Sequence, residues 1–229
     1  MEDWQLMEVQ ADEAGARLVD TARRLLEAGG PEAVQARKLA SEIGASTMAV
    51  YTHFGGMSEL FEALVRAGFI SLRAQVEAVS TTDDPMADFF VQGMAYRQWA
   101  LENPQLYRLI FGMSTAILPR RVAQDMTTSG TISLLPEGAA AFEVMIRSLE
   151  RVKASNRIEP VDTPAAAGQF LSATHGYVLL EMADYFGPSG QAFATVLGPL
   201  AVSLMVGLGA DRHDVDRSIA SALIAVGIR

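Results

Sequence analysis

Residues 44–60 read GASTMAVYTHFGGMSEL, and this is the most informative stretch of the chain. Gly44 can adopt the left-handed conformation that ends a helix, so we expect a helix to stop there. Ser46 is a favourable N-cap for a short helix that Gly55-Gly56 then ends. The stretch therefore predicts a tight corner between two helices, as in a helix-turn-helix whose second helix enters the major groove of DNA.

Helical periodicity continues on both sides of this corner. Upstream, residues 13–30 and 32–44 form two amphipathic segments, and downstream a long helix is predicted from about 57 to 79. The predicted core of this part of the chain is Leu18, Ala22, Leu25, Val34, Leu39, Ile43, Val50 and Phe54.

The rest of the chain also favours helices, and strand alternation is scarce. Helices are predicted at about 86–102, 104–117, 137–154, 163–186, 191–208 and 212–227, with an irregular stretch at 119–136. Asp84-Pro85, Asn103-Pro104 and Thr163-Pro164 are typical of helix starts. The sequence therefore predicts an all-α protein, with a three-helix helix-turn-helix domain at 1–56 and a larger helical domain at 57–229, connected by the helix at 57–79.

Composition limits the kinds of protein this can be. Half of the 229 residues are apolar and a fifth are charged, which is typical of a folded globular protein. The absence of cysteine excludes disulfides, thiolate zinc sites and cysteine nucleophiles. The net charge is −9, and residues 1–80 contain 7 Lys/Arg against 12 Asp/Glu. Because neither half is basic, any binding of DNA must come from a locally favourable surface.

One uncharged stretch has nearly the length of a membrane span. Ala192–Ala210 contains no charged residue, but Gly198-Pro199 interrupts it and no Lys/Arg cluster flanks it. A helix buried in a core or a subunit interface fits better than a membrane span. The acidic N-terminus also lacks the pattern of a signal peptide, so we expect a cytoplasmic protein without membrane association.

Residues 14–65 resemble the DNA-binding domain of the TetR family of transcriptional regulators. The resemblance rests on ARLVDTARRLL at 16–26, VQARKLASEIG at 34–44 and GASTMAVYTHFGGMSELF at 44–61. It implies a ligand-responsive regulator, most often a repressor, that binds a near-palindromic operator in double-stranded DNA as a homodimer and is released by a small-molecule effector.

The resemblance also implies which residues would contact DNA. Tyr51 and His53 match residues that touch phosphates, and Arg37 matches an arginine that reaches a base edge in some members. The side chains themselves agree, since hydroxyl groups can donate to phosphate oxygens and Met48 and Ala49 can contact thymine methyl groups. The predicted DNA-binding residues are Arg37, Ser46, Thr47, Met48, Ala49, Tyr51, Thr52, His53 and Ser58.

Simpler interpretations of these residues stay open. Phe54 is best read as a core aromatic and Tyr51 as a surface residue with an exposed hydroxyl. His53 taken alone is an ordinary surface histidine, and Arg37 fits a solvated charge as well as a base contact. Met57 stands where family members often carry lysine, which leaves Ser58 and the free N–H groups of the helix start as phosphate donors.

The larger domain resembles a C-terminal subclass of the family labelled WHG. The similar segments are 99–112 and 173–181, with Thr174 where tryptophan is usual. The resemblance implies a domain that dimerises through late helices, which two being open, and binds a small molecule. The predicted ligand-binding residues are Phe90, Met94, Trp99, Tyr107, Phe111, Met113, His175, Leu179 and Met182. Aromatic and methionine side chains suit an adaptable apolar cavity, but the same pattern fits an ordinary core, and His175 fits a hydrogen-bonded core histidine.

Two other functions remain as alternatives. A ligand-binding helical dimer with weak or no DNA binding would account for the acidic first part and for Met57. An all-α enzyme is less favoured, because the sequence has no Glu-x-x-His pair, no G-x-S-x-G, no Walker loop and no G-x-G-x-x-G. We therefore expect no catalytic residues, no metal and no cofactor.

Overall fold

The computed structural model describes residues 3–113 and 135–227, with side chains described for residues 13–113 and 135–227. All regular elements within these ranges are helices, which confirms the predicted all-α fold. The α-helices are α1 (Asp3–Gly29), α2 (Ala36–Ile43), α3 (Met48–Phe54), α4 (Met57–Glu77), α5 (Pro85–Glu102), α6 (Pro104–Ile110), α7 (Pro136–Ala154), α8 (Thr163–Met182), α9 (Gly198–Gly207) and α10 (Arg212–Ala225). A 3-10 turn at Pro31–Ala33 precedes α2, and a π-helical segment at Phe193–Leu197 runs directly into α9.

The chain forms two compact units. The first contains Met1–Phe69 and Asn103–Arg121, and the second contains Ile70–Glu102 and Val122–Arg229. The first unit therefore holds α1, α2, α3, the first part of α4 and also α6, which comes from later in the sequence. The functional boundary predicted at residue 56 stays a prediction.

Apolar residues spaced four apart line the buried face of α1 in the first unit. Leu18, Ala22 and Leu26 are fully buried on one face of α1, because residues four apart share a face of a helix. Of the predicted core, Leu18, Ala22, Val34, Leu39 and Val50 are buried, whereas Leu25, Ile43 and Phe54 are half-buried. Leu26 takes the inward position because it continues the spacing of Leu18 and Ala22.

The second unit is arranged around α5, which packs against α7, α8 and α10. The ring of Phe89 on α5 meets Phe170 on α8 edge-on, with centroids 4.8 Å apart. The indole N–H of buried Trp99 donates to the hydroxyl of Ser71 at 3.0 Å. Aromatic contacts and a satisfied indole are features of a well-packed core.

Several predicted helix ends were wrong. The helix predicted to reach about residue 117 ends at Ile110, because Gly112 adopts a left-handed conformation with φ 70°. α8 ends at Met182 rather than 186, and Asp184 (φ 60°) follows it in the left-handed region. The N-cap of α8 is Asp162, which accepts from the backbone N–H of Ala165. The irregular stretch predicted at 119–136 lies almost entirely outside the described residues.

Within the ranges that the structure describes, none of the helices has the length and apolar character needed to cross a membrane.

Candidate nucleic-acid interface

A left-handed glycine forms the corner between α2 and α3. Gly44 has φ 68°, and the backbone N–H of Ala45 donates to the carbonyl of Ala40 at 2.9 Å. These features close the end of α2 and turn the chain into α3 within four residues. Val50 anchors α3 in the core with no exposed surface. The predicted helix-turn-helix geometry is therefore present.

The prediction of Ser46 as N-cap was wrong. α3 has Thr47 as its N-cap residue, with φ −58° and ψ −24°, and no side chain caps the helix. Because Thr47 is already in a helical conformation, the first turn closes through a backbone bond from the N–H of Ala49 to the carbonyl of Ser46. The hydroxyl of Ser46 is exposed and is not used as a cap.

The outer face of α3 presents several predicted DNA-binding residues to solvent. Met48 is 66% exposed and Tyr51 is 52% exposed. Thr52 is also exposed, but its hydroxyl donates to the carbonyl of Met48 at 2.9 Å, so that proton is in use within the helix. Ala49 and His53 are half-buried. Ser46 and Thr47, which directly precede α3, are exposed as well.

Four of the described arginines of this unit have intramolecular partners. Arg24 pairs with Glu42 at 3.1 Å, and Arg66 pairs with Glu62 at 2.9 Å. Arg17 donates to the carbonyl of Ile43, and Arg23 pairs with Asp20. Arg37 and Lys38 are exposed on α2, and neither makes a hydrogen bond or ion pair within the described part of the chain. These two side chains are available to a polyanion.

The start of α4 adjoins this face in sequence. Ser58 is exposed in its first turn, and Met57 is half-buried. Glu59 also lies in the first turn, where its negative charge opposes the approach of a phosphate. Neutral donors therefore dominate here.

The predicted ligand-binding residues are divided between the two units. Tyr107, Phe111 and Met113 belong to the first unit, where the rings of Tyr107 and Phe111 lie 4.9 Å apart and Tyr107 has no exposed surface. Phe90, Met94, Trp99, His175, Leu179 and Met182 belong to the second unit. Phe90 and Trp99 are buried there, whereas Met94, His175, Leu179 and Met182 are half-buried.

Polar side chains accompany these residues in the second unit. The hydroxyl of Tyr96 lies 3.5 Å from Nδ1 of His175, and burial lowers the pKa of His175, so its imidazole is mainly neutral at pH 7. Arg97 forms a two-point ion pair with Glu181, with Nε–Oε2 at 2.7 Å and Nη2–Oε1 at 2.5 Å. The guanidinium also lies 5.2 Å from the ring centroid of Phe193. Within the described ranges, no three His, Asp or Glu side chains are grouped so that they could hold a metal ion.

Sequence reasoning missed two polar arrangements that join distant segments. Glu27 of α1 accepts hydrogen bonds from the backbone N–H groups of Gln105 and Leu106. Asp84 binds both Arg157 and Ser218, at 2.6 Å and 2.7 Å. Partners so far apart along the chain leave no local signal, and only the capping position of Asp84 was visible in the sequence.

Two family models together match most of the chain. Residues 18–64 match the model described as bacterial regulatory proteins, tetR family. Residues 89–221, more than half of the chain, match the model described as tetracyclin repressor-like, C-terminal domain. The WHG subclass stays a prediction. No curated relative matches the chain at the sequence level.

Solved structures share the fold over nearly the whole length. A protein of unknown function from Rhodococcus sp. RHA1 is 24% identical, with a TM-score of 0.68 over 85% of this chain and 95% of that one. RolR in complex with resorcinol is 15% identical, with a TM-score of 0.59 over 93% and 95%. TylP, a TetR regulator from Streptomyces fradiae, is 17% identical, with a TM-score of 0.59 over 94% and 96%. At identities this low, these structures show that the chain shares their fold, and they show nothing about its function.

Proposed function

Since the chain belongs to the tetR family of bacterial regulatory proteins and is a DNA-binding transcriptional regulator, we propose that it is a homodimeric repressor whose near-palindromic operator is released when a small apolar or amphipathic effector binds. The observation that carries this proposal is the exposed face of α3. Met48 and Tyr51 are more than half exposed on a helix whose other side is anchored in a core by Val50. A rigid helix with large solvent-exposed side chains is suited to reading a major groove.

The proposed contacts fall into two groups: contacts to phosphates, which position the protein on DNA, and contacts to bases, which read the sequence. Ser46, Thr47 and Tyr51 would donate to phosphates, together with His53 and Ser58. Thr52 would join them by exchanging its hydrogen bond to the carbonyl of Met48 for one to a phosphate. Met48 and Ala49 would contact thymine methyl groups, and Arg37 would form two hydrogen bonds with a guanine. The exposure of Arg37 and the absence of a partner for it among the described residues support this role.

The proposed effector is uncharged. Arg97 is already paired with Glu181, so an anionic ligand would have to displace that carboxylate. The neutral imidazole of His175 and the hydroxyl of Tyr96 could orient a polar group of the ligand, while Met94 and Leu179 supply apolar contacts. RolR, which shares the fold, has been solved with resorcinol, and this is consistent with a small ligand.

We propose that the homodimer forms through α8, the π-helical segment and α9. Leu180, Val196, Leu200 and Val206 are 37–44% exposed, and Ala192–Ala210 contains no charged residue. A Cβ added at Gly176, one turn before Leu180, would meet no atom within 4 Å. An exposed, uncharged face with space above a glycine is well suited to the close approach of a second helix.

The decisive experiment is selection of bound sequences from a random or genomic DNA pool by the purified full-length protein. We expect an enriched near-palindrome, bound with a sub-micromolar dissociation constant. Replacing Tyr51 or Arg37 with alanine should weaken that binding. Small molecules can then be screened for release of the enriched DNA. A regulator that binds this DNA but is released by no ligand would contradict the effector part of the proposal.

The alternative is a ligand-binding dimer with weak or no DNA binding. The acidic balance of residues 1–80 and the presence of Met57 favour it. A DNA pool that stays random after selection at low salt would support this alternative and exclude the repressor.

A further inference from the structure

A carboxylate from the end of α1 holds the start of α6. Oε1 of Glu27 accepts a hydrogen bond from the backbone N–H of Leu106 at 2.8 Å, and Oε2 accepts from the N–H of Gln105 at 3.1 Å. Backbone N–H groups in the first turn of a helix have no acceptor within that helix. Asn103, the N-cap residue, makes no side-chain cap bond, so Glu27 is the side chain that satisfies these donors. Hydrogen bonds to an ionised carboxylate are stronger than neutral ones.

α6 also packs against α4. A Cβ added at Gly68 would lie 2.6 Å from Cγ2 of Ile110 and 3.2 Å from side-chain carbons of Leu106. The ring of Phe69 meets the ring of Phe111 nearly edge-on, with centroids 6.2 Å apart. The backbones of α4 and α6 therefore approach each other at a position where a larger residue does not fit.

These contacts make α6 a structural part of the unit that carries the helix-turn-helix. Leu106, Tyr107 and Leu109 are almost completely buried in it. A single residue, Asn103, separates α6 from α5, which belongs to the other unit. The chain therefore passes from the second unit into the first directly at the start of α6, where Glu27 binds.

We propose that Glu27 is a positioning residue for DNA binding, which fixes α6 to α1 and thereby couples the placement of α6 to operator affinity. The second part of this proposal, the coupling to operator affinity, rests on the proposed function. The first part, that Glu27 fixes α6 to α1, does not depend on DNA binding. Coupling between two sites is reciprocal, so if α6 affects operator affinity, the operator must also stabilise α6. Glu27 lies near the C-terminal end of α1, and this role does not require it to touch DNA.

The first test measures hydrogen exchange at the amides of Gln105 and Leu106 in the full-length protein without DNA. We expect exchange at both amides to be about tenfold or more faster in Glu27→Ala, because their acceptor is lost, and intermediate in Glu27→Gln. Glu32→Ala is the matched control, since it removes an exposed carboxylate of the same unit whose side chain makes no bond within the described ranges. Unchanged exchange in both Glu27 variants would show that Glu27 does not fix α6 to α1.

The second test adds the selected operator. We expect the operator to slow exchange at Gln105 and Leu106 in the wild type and in Glu32→Ala. In Glu27→Ala this slowing should disappear, and operator affinity should fall about fivefold or more. If Glu27→Ala does not fold, Glu27→Gln serves instead, with thermal unfolding to show that the fold is intact. A wild type that binds the operator without any change at these amides would overturn the coupling. A wild type that binds no DNA would overturn the proposed function and the coupling with it. The first test would still show whether Glu27 fixes α6 to α1.

Discussion

Arg37 and Lys38 are neighbours on α2, yet they lie on different sides of it. Lys38 shares its side with Glu42, four residues later, and Glu42 pairs with Arg24 of α1 at 3.1 Å. Arg37 lies about 100° around the helix from Lys38, on the side of exposed Ser41. Two equal charges at adjacent positions therefore form a matched pair for testing which side of α2 faces DNA.

We predict that Arg37→Ala relaxes the sequence preference of the protein and that Lys38→Ala does not. Loss of a two-point contact to guanine should reduce discrimination at one base pair of each half-site by about 1–3 kcal/mol. The measurement is competition binding with single-base-pair variants of the selected operator. If both variants lose the same affinity for every sequence, Arg37 acts only through its charge.

Asp84 shows what the sequence could and could not predict at a single residue. Its position before Pro85 predicted a cap for α5, and its Oδ1 does accept from the N–H groups of Met86 and Ala87. Nothing local predicted its bonds to Arg157 and Ser218, because those partners come from other segments of the chain. Burial raises the pKa of Asp84, but Ser218, the N–H of Ala87 and Arg157 together hold it below its ordinary value.

We predict that Asp84→Ala lowers the free energy of unfolding at pH 7 by about 1–3 kcal/mol, since a cap and a charged hydrogen bond are both lost. Asp83→Ala, which removes the neighbouring exposed carboxylate, should change it by less than about 0.5 kcal/mol. Urea unfolding of both variants measures the difference. Equal losses would show that the bonds of Asp84 add nothing to stability.

The same group predicts a pH dependence. Because the pKa of Asp84 is lower in the folded state than in the unfolded one, its charge stabilises the fold above the ordinary carboxyl pKa of 3.8. That stabilisation is lost as the pH falls through the lowered folded-state pKa. The difference in unfolding free energy between the wild type and Asp84→Asn should therefore be constant near neutral pH and shrink below about pH 4. A difference that grows on acidification would contradict the direction of the shift.

At the level of elements, α6 was harder to predict than α3. The glycines around α3 indicated its limits correctly, although its N-cap was assigned to Ser46. For α6, helical periodicity suggested a helix to about 117, whereas a single left-handed residue, Gly112, ends it at Ile110. Its close packing against Gly68 depends on a contact between segments far apart in the chain, and no periodicity reports such a contact. The exposed residues of α3 were thus predictable from the sequence, whereas the packing of α6 in the same unit was not.

We predict that Gly68→Ala destabilises the protein by about 1–3 kcal/mol, because the new methyl group would overlap Ile110. Gly15→Ala is the matched control within the same unit. A Cβ at Gly15 meets no atom within 4 Å, so alanine in that helix interior should be neutral or stabilise by about 0.5–1 kcal/mol. Thermal unfolding compares the two variants. A stabilising Gly68→Ala would show that α4 and α6 can separate without loss.

At the level of the whole molecule, each of the two units carries a surface for a different proposed partner. The helix-turn-helix carries unpaired Arg37 and Lys38 in a protein of net charge −9, whereas α9 and the segment before it are uncharged. Electrostatic attraction to DNA is therefore weak, and specificity must come from contacts between well-positioned side chains and the groove.

We predict that Leu200→Glu converts the proposed homodimer to a monomer and abolishes the proposed high-affinity operator binding. A buried carboxylate without a partner strongly opposes association. Ile224→Glu is the control, because Ile224 is 75% exposed on α10, outside the proposed interface. Light scattering after size-exclusion chromatography gives the molar mass of each variant. If only Ile224→Glu produced a monomer, the interface would involve α10 instead of the proposed helices.

We also predict a shallow dependence of operator affinity on salt. Each phosphate that the protein neutralises contributes about −0.9 to the slope of log K against log salt concentration. With Arg37 and Lys38 as the free cations on α2, the proposed dimer should give a slope no steeper than about −4. A slope near −8, measured by fluorescence anisotropy between 50 and 300 mM salt, would reveal cationic contacts that the exposed face of the helix-turn-helix does not supply.

The discontinuity of the first unit has a consequence during protein synthesis. Glu27 leaves the ribosome 78 residues before Gln105. At a translation rate of about 5–20 residues per second, roughly 4–16 s pass before α6 is available. Through that interval the nascent helix-turn-helix lacks the buried side chains of Leu106, Tyr107 and Leu109, and the surface of α1 and α4 against which α6 later packs is open to chaperones.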